Sequence, residues 1–334
     1  MDEKTLRICQ GICEDRNILY KKMRWETEVN QVAILSAFMY ASEGRRVDAE
    51  QYVKCKKLLK KKVNLFSEIR GIVKTVVITK MALSNDPEAY IEGVTSTYKK
   101  LRERHKFTAS AHMVLAAMTI YEKGGETKAD EYIDIMESLY KKLNAEHRLL
   151  TSDSDRALIA IMATSGKDVT GLLEKTFDNY ETFKGMHIGR NSIYSMAQAL
   201  SESTKSSARL REEILALKKG LKKAKKPISK TYGVTVLSLL TLLDVPTDEI
   251  VERVVEVDNY LKTQKGFKWY NSGPYAFRTM YSIMAVILSS DSKNDAAVKT
   301  AMASTMTYII SVLIMIMVAS TTAAIRANSS SSAS

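Results

Sequence analysis

The sequence has few of the residues that interrupt regular secondary structure. Only 4 prolines and 14 glycines occur in 334 residues, while 45% of the residues are hydrophobic. Proline and glycine are the usual breakers of helices and markers of turns. Their scarcity favours long helices and argues against an all-β or disordered chain.

Cysteine is scarce as well. Cys9, Cys13 and Cys55 are the three in the chain, and they form no CxxC pair. An odd number of cysteines without a metal-ligand spacing suits a reducing compartment. No apolar run of the kind found in secretory signals, about 7 to 15 residues, follows the first residues. We therefore expect a cytoplasmic protein.

Signatures of catalysis and of cofactor binding are missing from the sequence. It contains no GxxxxGK[ST], no GxGxxG after a strand, no HExxH and no GxSxG. His105, His147 and His187 share one position in an internal repeat, too far apart for one metal with ligands at about 2 Å. A structural role is favoured for them, and an enzyme that uses one of them in a groove is an alternative. We predict no catalytic residue, metal or cofactor.

What the sequence does contain is an internal repeat. The segment YKKLRERHKF, from Tyr98 to Phe107, returns as YKKLNAEHRL from Tyr140 to Leu149 and more loosely from Tyr180 to Gly189. Equivalent positions recur every 38 to 42 residues, at Lys57, Tyr98, Tyr140, Tyr180, Lys218 and Tyr260. A period of about 40 residues is typical of two-helix repeats.

Each repeat has a short apolar first helix and a longer amphipathic second helix that ends in lysines. First helices are predicted at Val32–Ala41, Val73–Leu83, Met113–Tyr121, Ala157–Ala163, Ile193–Leu200, Val234–Leu243 and Phe277–Leu288. A helix pair cannot bury its apolar face alone, so successive pairs should stack. The predicted fold is all-α: a curved α-solenoid of six to seven helix pairs over residues 29–290, with an N-terminal capping helix in residues 1–28.

The C-terminal region differs from the repeats. Residues 300–325 contain 26 residues without a charge. As a helix rising about 1.5 Å per residue, this apolar C-terminal segment would exceed the roughly 30 Å hydrocarbon layer of a membrane. An anchor on the inner face of the cell membrane is the first interpretation, and a helix buried against the solenoid or in an oligomer is the second. Residues 326–334 are predicted to be a disordered Ser-rich tail.

Basic residues outnumber acidic ones by 50 to 38, which predicts anionic partners. The strongest cluster lies in the acid-free run from Ile214 to Leu243, and a second basic patch covers residues 54–62. The predicted anion-binding or partner-binding residues are Lys218, Lys219, Lys222, Lys223 and Lys226. The alternative is a solvated face that complements its helix end.

The expected partners of the lysine cluster are an acidic protein or an anionic membrane surface. Non-specific nucleic-acid binding is a further alternative, less favoured because arginines and interleaved aromatic residues are missing. The sequence therefore predicts a helical-repeat interaction or scaffold protein.

Several blocks of the sequence resemble a known family. They are Trp25-Glu26, Leu35-Ser36-Ala37, Leu65 to Gly71, and Val257 to Lys262 with Gly266-Phe267. Together they resemble a bacterial family filed as a domain of unknown function, number four thousand and three. The resemblance covers nearly the whole chain and implies an all-helical bacterial protein. It carries no active-site residues over to this sequence.

Overall fold

A computed structural model describes residues 1–23, 29–65, 67–71, 73–104, 110–146, 155–226, 228, 232–268 and 275–290. These residues contain α-helices and two short 3-10 turns, at Glu68–Arg70 and Leu239–Leu242, and no β-strand. The all-α prediction is therefore confirmed. The helices are α1 (Glu3–Met23), α2 (Val29–Ser42), α3 (Ala49–Lys62), α4 (Lys74–Leu83), α5 (Pro87–Arg104), α6 (Ala111–Gly124), α7 (Ala129–Glu146), α8 (Arg156–Ala163), α9 (Val169–Phe183), α10 (Arg190–Ala199), α11 (Ser207–Lys223), α12 (Tyr232–Ser238), α13 (Thr247–Thr263) and α14 (Tyr275–Ser289).

The helices alternate between two layers. Odd-numbered helices form the outer layer, where each has one buried and one exposed face. Even-numbered helices form the inner layer, and residues such as Phe38 on α2 and Ile283 on α14 are completely buried. A helix that is apolar on all sides belongs inside a protein, which explains why the inner helices lack a polar face. Each of the seven first helices predicted from the sequence overlaps an inner helix.

Each outer helix runs antiparallel to the inner helix that follows it. Arg16, in the second half of α1, donates from Nε to Oδ1 of Asn30 in the first turn of α2, at 2.8 Å. At the other end of the chain Arg278, in the first turn of α14, donates to Asp258 near the end of α13, at 2.9 Å. The outer helices therefore share one direction. We call the side on which they end the C-terminal rim, and the side on which they begin the N-terminal rim.

The array of helix pairs closes into a ring. Helix α14 contacts α1 and α2, and α1 contacts α13 as well as α3. Phe38 of α2 stacks on Tyr281 of α14 with ring centroids 6.0 Å apart, and the amino group of Met1 lies 2.7 Å from Glu256 of α13. The predicted curved solenoid did not include this closure, in which the two ends of the array are buried against each other.

Helix α1, predicted as an N-terminal capping helix, packs on the first helix pair and has further neighbours. It is the outer partner of α2, and it also covers the seam between α2 and the α13–α14 pair. A terminal cap would present a polar outer face at one end of an open array. In the ring, α1 instead has neighbours on both sides.

Three residues join the two ends of the chain at this seam. The Asn30 side chain accepts from Arg16 and donates from Nδ2 to the carbonyl of Gly266, 236 positions away, at 2.8 Å. Gly266 has a φ of +92°, which disfavours any side chain, and a Cβ there would lie 2.4 Å from Cζ of Arg16. Only glycine allows this close approach.

Some predicted features lie outside the described residues. These are the apolar segment 300–325, the tail 326–334, His105 and His147. Within the described ranges no helix is long and apolar enough to cross a membrane. The domain boundaries remain predictions.

Replacing Gly266 by alanine should destabilise the ring, because the new Cβ meets Arg16 in addition to the unfavourable φ. We expect the free energy of unfolding to fall by about 2 to 4 kcal/mol, as for other strained or overpacked sites. Gly44→Ala is the matched control, since Gly44 has a φ of +63° and nothing within 4 Å of a Cβ. It should cost only the backbone strain of about 1 kcal/mol. Urea unfolding measures both, and equal losses would contradict the close contact at the seam.

Candidate functional site

The predicted lysine cluster lies at the end of α11, where the chain makes a tight turn. The amide of Lys226 donates to the carbonyl of Leu221 at 2.9 Å, and that of Lys225 to the carbonyl of Lys222 at 3.1 Å. Lys225 has a φ of +57°. This is the Schellman motif, in which glycine usually occupies the left-handed position. A lysine there costs conformational energy, so the turn keeps a charged side chain at a position that favours glycine.

The turn sends neighbouring lysines to different environments. Lys219, Lys222 and Lys223 are exposed and Lys218 is half-buried. None of these four forms an ion pair with a residue that the structure describes. Four of the five lysines predicted to bind an anion therefore lie where an external anion could reach them.

Lys226 is the exception among the predicted residues. Only 7% of it is exposed, and its Nζ lies 2.5 Å from Oδ2 of Asp258 and 2.8 Å from Oδ1 of Asn259. The prediction that Lys226 binds an external anion is wrong, because its ammonium group already contacts a buried carboxylate.

A buried charge cluster fixes the end of α11 to the ring. Asp258 is fully buried, and it accepts hydrogen bonds from Lys226 and from Nε and Nη2 of Arg278, the last two at 2.9 and 3.3 Å. The three residues come from the turn after α11, from α13 and from α14. Buried charges are tolerated when they are paired and hydrogen-bonded, and removing one partner typically costs about 3 to 5 kcal/mol. The cluster therefore holds the exposed lysines in a defined place on the rim.

Ring closure places this lysine cluster beside basic residues from the other end of the chain. The outer helices α11, α13, α1, α3 and α5 are neighbours in that order. Their last four residues include ten basic side chains and one acidic one, Glu103. We call the ten the basic arc: Lys222 and Lys223 of α11, Lys262 of α13, Lys21 and Lys22 of α1, Lys60, Lys61 and Lys62 of α3, and Arg102 and Arg104 of α5. Helices α7 and α9 end the arc, since their last turns carry Glu146 and Glu181.

Helix-end chemistry alone does not account for the basic arc. Lysines at the end of a helix complement its negative pole, and carboxylates at the start of a helix complement its positive pole. All seven inner helices begin on the C-terminal rim, and none has an acidic residue in its first turn. Within the described residues, the rim thus has the cations that helix ends favour, while the first turns of the inner helices supply no carboxylate; Asp155, at the N-cap of α8, lies outside the arc.

Few of these cations are neutralised within the ring. Lys62 pairs with Glu88 and Glu92 in the first two turns of α5, and Arg104 pairs with Asp134 in the second turn of α7, so these two cations point toward the beginnings of the neighbouring outer helices. The other eight have no ion pair with any residue in the described ranges. No carboxylate in the described ranges compensates their mutual repulsion by an ion pair, and an anionic partner would relieve it.

Groups suited to catalysis are poorly placed in the part of the chain that the structure describes. Burial raises the pKa of Cys9 and Cys13 to about 12 and that of Cys55 to about 11, so these thiols stay protonated near neutral pH. His187 is exposed. No group of three or more His, Cys, Asp or Glu residues able to hold a metal occurs among the described residues.

A cavity of about 620 Å³ opens on the N-terminal rim, away from the basic arc. Its walls include Asp2, Glu3, Asp244 and Arg253, and they contain no histidine or cysteine. Arg253 pairs with Glu249 at 2.5 Å. None of the lysines predicted to bind an anion lines this cavity.

The fold and the arc define an all-helical ring protein in which cations without an ion pair to any described residue are concentrated on one rim. The chain belongs to the family described as protein of unknown function (DUF4003), whose family model matches residues 17–319. The resemblance seen in the sequence is thereby confirmed. Searches of curated proteins and of solved structures found no match.

Replacing Lys225 tests whether a lysine at this positive-φ position makes the protein less stable than a glycine would. We expect Lys225→Gly to raise the free energy of unfolding by about 1 kcal/mol, because glycine adopts a positive φ without strain. Lys223→Gly is the control, because it also removes one positive charge but at a helical position. It should lower the free energy of unfolding by about 1 kcal/mol. Opposite signs in urea unfolding support the strained turn; a loss of stability at both positions would contradict it.

Proposed function

We propose that this protein is a cytoplasmic interaction or scaffold protein that binds an anionic partner surface through the basic arc. The observation that carries the proposal is a row of eight cations on five neighbouring helices that form no ion pair with any residue the structure describes. Of the lysines predicted from the sequence, Lys222 and Lys223 belong to the arc, and Lys218 and Lys219 lie one turn earlier on α11.

The strength of such a surface follows from its charge. Each lysine near an anionic surface contributes about 1 kcal/mol, and the contribution falls within a Debye length, about 10 Å at 0.1 M salt. Eight such residues acting together contribute about 8 kcal/mol at low salt, which corresponds to micromolar binding before the costs of association and ordering are subtracted. Strong dependence on salt is therefore part of the proposal.

An acidic protein and an anionic membrane are the partners that fit this chemistry best. Seven of the eight unpaired cations are lysines, and Arg102 is the exception. Arginine makes the two-point contacts that read bases, whereas lysine acts as a point charge. This composition favours a partner that is recognised by its negative charge, and it argues against recognition of a particular nucleic-acid sequence.

Two finer parts of the proposal come from the sequence. The period of about 40 residues describes the repeating helix pairs, and residues 300–325 serve as a membrane tether or an oligomerisation helix. Three free and buried cysteines support a reducing compartment.

Charge reversal tests the proposal directly. The variant Lys219→Glu, Lys222→Glu, Lys223→Glu should bind a fluorescent 20-residue polyglutamate at least tenfold more weakly than the unchanged protein, since three attractive charges become repulsive. Fluorescence anisotropy at 0.1 and 0.4 M NaCl measures the affinity and its salt dependence. A 20-nucleotide single-stranded DNA of random sequence is the parallel probe for nucleic-acid binding.

The control carries the same change in charge outside the basic arc. Lys128 is exposed on the N-terminal rim, and Lys141 and Lys142 are exposed in the last two turns of α7, past the end of the arc. Reversing these three to glutamate should weaken binding less than threefold. Equal losses in both triple variants would show that net charge, and not the arc, determines binding. Affinity for neither probe at 0.1 M salt would contradict the proposed function.

A further inference from the structure

Exposed apolar side chains occur within the basic arc. Ile18 and Tyr20, in the last two turns of α1, are each 37% exposed, and Leu65, two residues beyond the C-cap of α3, is 64% exposed. The remaining exposed large hydrophobic residue in the described ranges is Met1, which lies at the opposite rim. Single exposed apolar residues are common on protein surfaces. Three of them within one cluster of cations call for an explanation.

The apolar residues lie near the middle of the arc. Helices α1 and α3 are flanked by α13 and α11 on one side and by α5 on the other. Lys21 and Lys22 follow Tyr20 directly, and Lys60 and Lys61 precede Leu65 by one turn. Because the outer helices share one direction, these apolar residues and cations lie on the same side of the ring.

The combination of lysine and apolar side chains has a specific use at lipid surfaces. Lysine places its ammonium group among lipid headgroups while its methylene stem follows apolar material. Nearby apolar and aromatic side chains enter the boundary between headgroups and acyl chains, which strengthens electrostatic binding to anionic lipids. Tyr20 suits this boundary because its ring is apolar and its hydroxyl is polar.

We propose that the basic arc docks on an anionic lipid bilayer, with Ile18, Tyr20 and Leu65 at the level of the headgroups. This inference rests on the proposed function, since it uses the same arc, and it names the partner as lipid and not as an acidic protein. The apolar residues belong to two separate helix ends. A fluid bilayer adapts to separated apolar residues, whereas a protein interface relies on a continuous, closely packed core.

The inference is independent of the apolar segment 300–325. Docking through the arc uses residues on α1, α3, α5, α11 and α13, all within the described ranges. It therefore predicts that lipid binding responds to substitutions on the rim while the C-terminal segment is unchanged. The full chain is used in every measurement, so any lipid binding by that segment is the same in all variants.

Co-sedimentation with vesicles tests the docking face. The probes are two kinds of vesicle. One contains phosphatidylcholine alone, and in the other about 30% of the lipid is anionic phosphatidylserine. The full chain should bind the anionic vesicles at least tenfold more tightly than the neutral ones at 0.1 M NaCl. Lys21→Glu, Lys22→Glu, Lys60→Glu, Lys61→Glu should remove this preference.

Two further variants separate the apolar contribution from the charges. Ile18→Ser with Leu65→Ser leaves every charge in place and should weaken binding to the anionic vesicles by about three- to tenfold, as two apolar side chains no longer enter the boundary. The control Lys128→Glu, Lys141→Glu, Lys142→Glu should bind within threefold of the unchanged protein.

A local probe reports which rim meets the lipid. Leu65→Cys carries an environment-sensitive dye, and Thr127→Cys, exposed on the N-terminal rim, carries the same dye as the control. The buried cysteines, with their raised pKa values, do not compete for labelling near neutral pH. Anionic vesicles should brighten the dye at residue 65 and leave the dye at residue 127 unchanged.

The outcomes distinguish this inference from the function on which it rests. Loss of anionic-vesicle binding in the arc variants, with brightening at residue 65 alone, supports lipid docking. Vesicle binding that is unchanged in the arc variants overturns it. Binding to polyglutamate without binding to anionic vesicles also overturns lipid docking, while the proposed interaction function survives. Binding to neither probe overturns both.

Discussion

Closure of the helical ring is the constraint on which the other features of this protein depend. Asn30 at the start of α2 is bound to Arg16 of α1 and to the backbone at Gly266, so the first and last helix pairs share one hydrogen-bonded seam. An open array would have to cover both of its ends with polar faces. Closure removes both ends, because the apolar faces of α2 and α14 bury each other, as the stacking of Phe38 on Tyr281 shows.

The same closure creates a surface that no single stretch of the chain contains. Lysines near residues 20, 60, 222 and 262 are far apart in sequence, yet their helices are neighbours on the C-terminal rim. The buried cluster of Lys226, Asp258 and Arg278 strengthens this arrangement by fixing the end of α11. One lysine of the α11 group thus supports the fold, while those beside it remain exposed on the rim. Burial of one charge and exposure of its neighbours follow from a single left-handed residue, Lys225.

Sequence patterns predicted the parts of the structure that depend on local spacing. The inner helices were found because runs such as Val32 to Ala41 are apolar on every side, and the exposed lysines of α11 because no carboxylate lies near them in sequence. Lys226 was misjudged because helical spacing continues past Lys223, whereas the helix ends there in a turn that normally contains glycine. Ring closure was missed because it depends on contacts between residues such as Asn30 and Gly266, which no repeat pattern encodes.

The distance between α1 and α13 tests the closed ring most directly. Spin labels on Lys22→Cys and Lys262→Cys, both exposed at the C-terminal rim, report it without disturbing the core. Neighbouring helices lie about 10 Å apart, so the closed ring predicts a label separation below about 25 Å once the label arms are included. In an open array, α1 and α13 would be separated by six spacings between neighbouring helices. Even in a strongly curved open array the distance between the two labels would exceed about 40 Å. A short distance confirms that lysines from both ends of the chain form one arc, and a long distance contradicts the ring and the functional surface built on it.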